Sequence, residues 1–183
     1  MRTTATAFGA LFWLWAAAAQ GADTLRDSSF TEPNGDRVLQ ESIEVASPPA
    51  CLWRAWTDEA AIKASGLAMA HVDLRNGGVI EEGFSAAAAP GSAQVIRHRI
   101  IAYLPERLLV LRNEATPPGL PHPELYRTIV QVDSLEPLAE SRTRVTISHT
   151  GYGSGPDYDQ LYAFFRRGNA AYLAQMKATC EKR

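Results

Sequence analysis

The chain has 183 residues, with 18 Lys and Arg against 20 Asp and Glu and a formal net charge of −2, spread without long like-signed runs. Such a balance lacks the basic stripe that nucleic acid or an anionic membrane surface requires, so neither is an expected partner. The histidines, His71, His98, His122 and His149, show no ligand-like spacing, so no metal site and no other cofactor is expected.

At the N-terminal end Arg2 precedes an apolar run over residues 7–19 that holds Leu11, Phe12, Trp13, Leu14 and Trp15. That run is shorter than the roughly 20 residues of a spanning helix. With small residues at Ala17, Ala19 and Gly21, it reads as a signal peptide over residues 1–22, cut after Ala19 or Gly21. The expected mature chain has about 160 residues, one domain's worth, and is periplasmic or secreted with no stable membrane insertion. Residues 23–36 are polar and turn-rich and read as a flexible arm.

Residues 38–46 alternate Leu39, Glu41, Ile43 and Val45 against Val38, Gln40, Ser42 and Glu44, a strand with one buried face. Ser47 is expected to cap a helix with Pro48 at its first position and an apolar stripe of Leu52, Trp53 and Trp56. Thr57 or Asp58 caps a second short helix that runs to Ala64 and ends at Gly66. Strands follow over residues 71–75 and 79–85, joined at Asn76-Gly77, where both residues tolerate positive φ. Two further pairs are expected over 93–104 with 108–114 and over 126–135 with 142–152, the loop between them stiffened by Pro117, Pro118, Pro121 and Pro123. The Gly151-Tyr-Gly-Ser-Gly155 loop is out of register for a serine nucleophile elbow and lacks the lysine of a phosphate loop.

The last helix opens at Gly155-Pro156-Asp157, with Asp157 expected to accept a backbone N–H. Its apolar stripe, Tyr158, Leu161, Tyr162, Phe165, Tyr172 and Met176, is broken at Gly168 and Asn169. The glycine marks either a close approach to the sheet or space left open. One strand, two short helices, an antiparallel run and a closing helix describe an α+β fold, a curved antiparallel sheet wrapped around a long C-terminal helix, which tends to enclose a cavity. At period 2, Glu82 and Phe84 share a face with Ile80, His98 with Ile96 and Ile100, and His149 with Val145 and Ile147. The expected cavity therefore sets Glu82, Phe84, His98 and His149 against Leu161, Phe165, Gly168, Asn169 and Tyr172.

Four stretches carry a family resemblance: Ser47-Pro-Pro-Ala-Cys-Leu-Trp-Arg-Ala-Trp-Thr-Asp58, Val72-Asp-Leu-Arg-Asn-Gly-Gly78, Ile101-Ala-Tyr-Leu-Pro-Glu-Arg-Leu-Leu-Val110 and Thr143-Arg-Val-Thr-Ile-Ser-His-Thr-Gly-Tyr152. With the closing helix in place, the chain resembles the START-like (SRPBCC) helix-grip superfamily, in the branch related to the activator of heat-shock-protein-90 ATPase. The resemblance covers about residues 37–177 and implies that residues 37–183 form one START-like domain. Where relatives often carry a tryptophan pair after the second helix, this chain has Ala64-Ser-Gly-Leu-Ala-Met-Ala70, a small rim in place of an aromatic one. In a helix-grip fold the first helices lie near the end of the closing helix, so Cys51 and Cys180 are either a disulfide or two separate thiols.

Members of this superfamily bind lipids, sterols, hormones and polyketides, modify aromatic rings or assist a chaperone. A chaperone role sits poorly with export. Two expectations remain: a small hydrophobic or aromatic molecule bound between the last helix and the sheet, or a cyclase- or dehydratase-like enzyme using Glu82, His98 or His149 as acid and base.

Overall fold

The computed structural model describes residues 25–182, so the signal-peptide reading of residues 1–22 lies outside the described residues. The elements are β1 (Arg26–Asp27), β2 (Phe30–Thr31), β3 (Arg37–Val45), α1 (Pro49–Thr57), α2 (Glu59–Ala64), β4 (Met69–Val72), β5 (Val79–Gly83), β6 (Val95–Leu104), β7 (Leu108–Ala115), α3 (Pro123–Tyr126), β8 (Val130–Ala139), β9 (Arg142–Tyr152) and α4 (Pro156–Cys180). The nine strands form one antiparallel sheet in the order β1-β3-β9-β8-β7-β6-β5-β4, with β2 also on β3. This is the expected helix-grip fold: a curved sheet with α4 across its concave face.

Strands β5 to β9 pair in chain order as a meander, with longer connections after β5 and after β7, and β3 pairs with β9 along most of its length, from Leu39↔His149 to Val45↔Thr143. Register shifts in the β6–β7 pair, at Arg97/His98 and Ile100/Ala102, add local bend and twist where the sheet wraps the helix. Between β4 and β5 the chain makes a wider loop than a two-residue hairpin. Gly77 has φ +76°, and a Cβ on Gly78 would sit 2.0 Å from the Asp73 carbonyl oxygen, so only glycine fits there.

Local differences from the sequence reading have physical causes. The segment read as a flexible arm is tied down in its described part, since β1 and β2 pair with β3 and Asp27 reaches Arg166 of α4 at 2.8 Å. Ser47 does not cap α1; it is buried, its carbonyl accepts the Thr143 hydroxyl at 2.8 Å, and Pro48 is the cap with Pro49 inside. Asp58, not Thr57, caps α2 by accepting the Ala61 N–H at 2.8 Å. Asp157 makes no cap on α4, where Gly155 takes the cap position. Tyr126, read as the start of a strand, ends α3 instead, and β8 begins four residues later at Val130.

Two apolar clusters fasten α4 to the sheet. Leu173, Met176 and Cys180 join Leu52, Trp53 and Trp56 of α1 and Ile43, Val45, Val145 and Ile147 of β3 and β9. At the other end Leu161 packs with Leu39, Ile129, Tyr126 and Tyr152. Fully burying side chains of this size contributes roughly 1.5–3 kcal/mol each. Cys51 and Cys180 are joined by a disulfide with their Cα atoms 5.9 Å apart, which staples α1 to the end of α4. Lys177 Nζ donates to the Glu44 carbonyl at 3.0 Å, and Glu181 accepts the Ala46 N–H at 2.7 Å.

The bridge spans 129 residues of sequence, a long loop to close in the unfolded chain. Changing both Cys51 and Cys180 to Ala is therefore expected to lower unfolding free energy by about 2–4 kcal/mol, read by urea denaturation. Intact mass after alkylation of unreduced protein should show no added label. Two labels, or an unchanged urea midpoint in the double variant, would contradict the bridge.

Candidate functional site

Between its two anchored ends α4 stays close to β3 and β9, with Phe165 against His149 and Asn169 beside Glu41, and stands off the strands beyond them, where the space beneath is a cavity of about 540 Å³. A Cβ built on Gly168 meets nothing within 4 Å. Gly168 is exposed at the edge of the cavity, so the glycine marks no close approach to the sheet. The roof is Phe164, Phe165, Gly168, Asn169, Ala171, Tyr172 and Gln175 of α4. The floor comes from alternate residues of five strands: Ile80, Glu82 and Phe84; Ile96 and His98; Leu109 and Leu111; Gln131 and Asp133; Ile147 and His149. Period 2 on a pleated sheet sends each of these to one face. Trp56, Ser65 and Leu67 close one side, and Pro117, Gly119, Leu120 and Tyr126 another.

Of the nine residues expected at the cavity, eight line it. Leu161 does not: it is fully buried in the cluster with Leu39 and Tyr152, one turn before the cavity opens under α4. Phe84 lines the cavity only at its mouth, 66% exposed, because β5 ends at Gly83 and the chain turns outward. Ser65 and Leu67 belong to the small segment that stands where relatives carry tryptophans, and they leave that rim low.

Sequence reading missed Asp133, Gln131, Tyr126 and Glu41. Asp133 and Gln131 alternate with Leu135 on the buried side of β8, a period-2 signal obscured by placing the strand's start at Tyr126. Glu41 sits between Leu39 and Ile43 on the apolar face of β3, a polar residue at an inward position.

The cavity is apolar with four titratable side chains in its floor, each displaced chiefly by burial. Glu82 and Asp133 are both pushed up to about 7, Asp133 despite the hydrogen bond from Gln131 and with a further rise from the nearby Glu82. Glu82 is half-buried and lines the cavity, and it responds as a buried group. His98 is pushed down to about 4 and His149 to about 3, the second helped by His98. At neutral pH both imidazoles are uncharged and both carboxyls are near half-protonation.

Hydrogen bonding leaves part of this set unspent. His98 Nε2 and the Tyr126 hydroxyl are 2.8 Å apart, and Gln131 Nε2 donates to Asp133 Oδ2 at 2.7 Å. Asp133 Oδ1 and His149 Nδ1 are buried with no partner among the described residues. Behind the roof, burial raises Glu41, and the adjacent Asn169 amide opposes the rise without closing a well-formed hydrogen bond. Aromatic rings frame the polar floor: Phe165 lies 4.5 Å from the Tyr126 ring and 4.9 Å from His149. Among the described residues no three His, Cys, Asp or Glu side chains are placed to hold a metal ion.

The model of the family described as "Activator of Hsp90 ATPase homolog 1-like protein" matches residues 46–181. Among solved structures, the Aha1 dimer from Colwellia psychrerythraea superposes with a TM-score of 0.61 at 16% identity, over 79% of this chain and 96% of that one. A conserved protein of unknown function from Enterococcus faecalis, EF2215, gives 0.60 at 16% identity over 86% and 78%. The Zhui aromatase/cyclase from Streptomyces sp. R1128 gives 0.56 at 16% identity over 81% and 95%. At such identity the likeness speaks for the fold. Among curated proteins none matches the sequence. The matched stretch takes in α1, α2, all of the sheet from β4 to β9 and the whole closing helix that roofs the cavity, and the chain belongs to the family of activator of Hsp90 ATPase homolog 1-like proteins.

Proposed function

We propose that this is an exported START-like domain that binds a small apolar or aromatic ligand between α4 and the sheet. The observation that carries the reading is the cavity of about 540 Å³, walled by Phe, Tyr, Leu and Ile side chains and spanned by a helix that is glycine at its midpoint. A volume of that order is the usual size of a small-molecule site. Export is supported by Arg2 with the apolar run after it, and by the Cys51–Cys180 bridge, which belongs to an oxidising compartment. Among the described residues no helix is long and apolar enough to cross a membrane. Activation of an Hsp90 ATPase, which the family description names, does not fit the export proposed here.

A second reading, a cyclase- or dehydratase-like enzyme, draws on Glu82 and Asp133 lying near 7 beside neutral His98 and His149. Groups poised near the working pH are suited to proton transfer. A native mass spectrum of protein purified from its own host separates the two: an unaltered co-purifying molecule supports binding, and conversion of that molecule on incubation supports the enzyme.

Gly168 provides the direct test of the cavity. Gly168→Ala meets no neighbour and should raise stability by up to about 1 kcal/mol through helix propensity. Gly168→Leu should keep the fold but weaken uptake of the fluorescent apolar probe 1-anilinonaphthalene-8-sulfonate or Nile red at least about tenfold, a loss of some 1.4 kcal/mol in binding. If wild-type protein takes up neither probe, the binding reading fails.

Protonation of the floor also fixes how stability depends on pH. Between the ordinary carboxyl range and about 7, folded Glu82 and Asp133 hold protons that the unfolded chain has released, so their contribution falls as pH rises. His98 and His149 act the other way: below 6.5 the unfolded rings take up protons that the buried rings refuse, so stability is lost as pH falls toward 4 and 3. The two pairs offset between about pH 4.5 and 6.5, and above that only the carboxyls act. Replacing both carboxyls, Glu82→Gln with Asp133→Asn, should raise unfolding free energy on the order of 1–2 kcal/mol at pH 8 and far less at pH 5. Equal effects at both values, measured by urea titration, would contradict the protonation states assigned here.

A further inference from the structure

The residues around the cavity include two carboxylic acids and no lysine or arginine. Asp133 is 2% exposed, and its Oδ1 has no donor among the described residues. Glu82 carries no hydrogen bond or ion pair, and burial alone accounts for its perturbation. On the other face of the sheet Glu81, equally buried, is served by a cation, the Arg97 guanidinium 2.6 Å away, whereas Glu41 behind the roof has no ion pair among the described residues. A cavity that leaves two acceptors unpaired, while β6 between them sends Arg97 and Arg99 outward, has its charge complement missing on the inside. The rings of Trp56, Tyr126, Phe164, Phe165 and Tyr172 stand around the same space and present electron-rich faces to a cation.

We infer that the natural ligand carries a protonated amine on an aromatic-sized apolar body, with the amine seated between Glu82 and Asp133 and the body under α4. This rests on the reading of the cavity as a binding site and narrows its ligand class. An ammonium group supplies up to three donors for the cavity's carboxylates, and Asp133 Oδ1 and His149 Nδ1 have no partner among the described residues. A carboxylate ligand meets the reverse situation, two acids and no cation.

The pH dependence follows from every group that faces the amine. Glu82 enters from β5, His98 from β6, Asp133 from β8, His149 from β9, Tyr126 from the end of α3 and Tyr172 from α4, with Glu41 of β3 behind Asn169. From pH 5.5 to 8 both imidazoles stay neutral and both phenols stay protonated, because burial moves each away from that range. The lining groups that change over that range are Glu82 and Asp133, which ionise as pH rises and are held ionised by a bound ammonium.

Three probes with one body and different heads test this: 2-(2-naphthyl)ethylamine, 2-(2-naphthyl)ethanol and 3-(2-naphthyl)propionic acid, titrated calorimetrically into the full mature chain. The amine should bind about tenfold or more tighter than the alcohol at pH 8, and the acid more weakly than either. Amine affinity should rise by about tenfold between pH 5.5 and 8, with proton release visible as a dependence of the heat on buffer ionisation, while the alcohol changes little. In Glu82→Gln with Asp133→Asn the amine should fall to the level of the alcohol. Should that variant not fold, the pH series on wild-type protein decides. Equal or tighter binding of the alcohol overturns the amine assignment and leaves the cavity reading standing. Binding of none of the three overturns both.

Discussion

The architecture depends on where α4 is held. At one end Leu173 and Met176 sink into the core around Leu52, Trp56 and Val145, with the Cys51–Cys180 bridge closing the last turn; at the other, Leu161 packs on Leu39 and Tyr152. Between these anchors α4 keeps to β3 and β9, and because the sheet curves on past it, a gap opens between the helix and the strands from β5 to β8. The cavity is thus a consequence of fastening, and anchoring residues such as Trp56, Ile147 and Tyr126 also line it. Gly168, with no neighbour within 4 Å of its would-be Cβ, lies where the gap is open.

The polar floor is the price of such a site. Each of Glu82, His98, Asp133 and His149 would be more cheaply replaced by an apolar residue of similar volume if stability alone mattered, since burying a titratable group displaces it from its solution pKa and leaves donors or acceptors short of partners. The displacement runs in opposite directions for the acids and the imidazoles, which keeps net charge inside the cavity low near neutral pH. Places where a chain departs from its own stability optimum are where function is expected to reside. On the outer face buried Glu81 behaves differently, accepting from Arg97 and from the Gly91 N–H.

Period 2 made most of the floor legible in the sequence. Glu82, His98 and His149 fall inward because Ile80, Ile96 and Ile147 do, and strand register needs no more than that. Asp133 escaped because a proline-rich loop and a four-residue helix shift the start of β8 to Val130, and an alternation is only as good as its origin. The helix roof was harder. A 3.6-residue stripe tells which residues face the sheet but not which of them lie over the gap, so Leu161 and Phe165 look alike in sequence, though one is core and the other lines the cavity. Helix starts were misread for a related reason: Ser47 and Asp157 have the side chains of caps, yet Pro48 and Gly155 already fix the backbone there, and tertiary contact claims Ser47.

The same physics explains how one scaffold admits unlike occupants. Every floor position is an alternate residue on a strand whose other face is independently satisfied, as the outward Arg97, Arg99 and Glu114 show. Changing an inward residue therefore alters the chemistry of the cavity without touching the pairing of the sheet, and changing the rim alters access without touching the floor. In this chain Ser65 and Leu67 keep one rim small, while Phe84 and Phe164 remain apolar and solvent-exposed at the mouth. Exposed aromatic rings beside an opening lower the cost of bringing an apolar body to it, since part of that body's surface leaves water before it enters. Chemical selectivity in such a cavity rests on the floor, where Asp133 Oδ1 and His149 Nδ1 are without partners among the described residues.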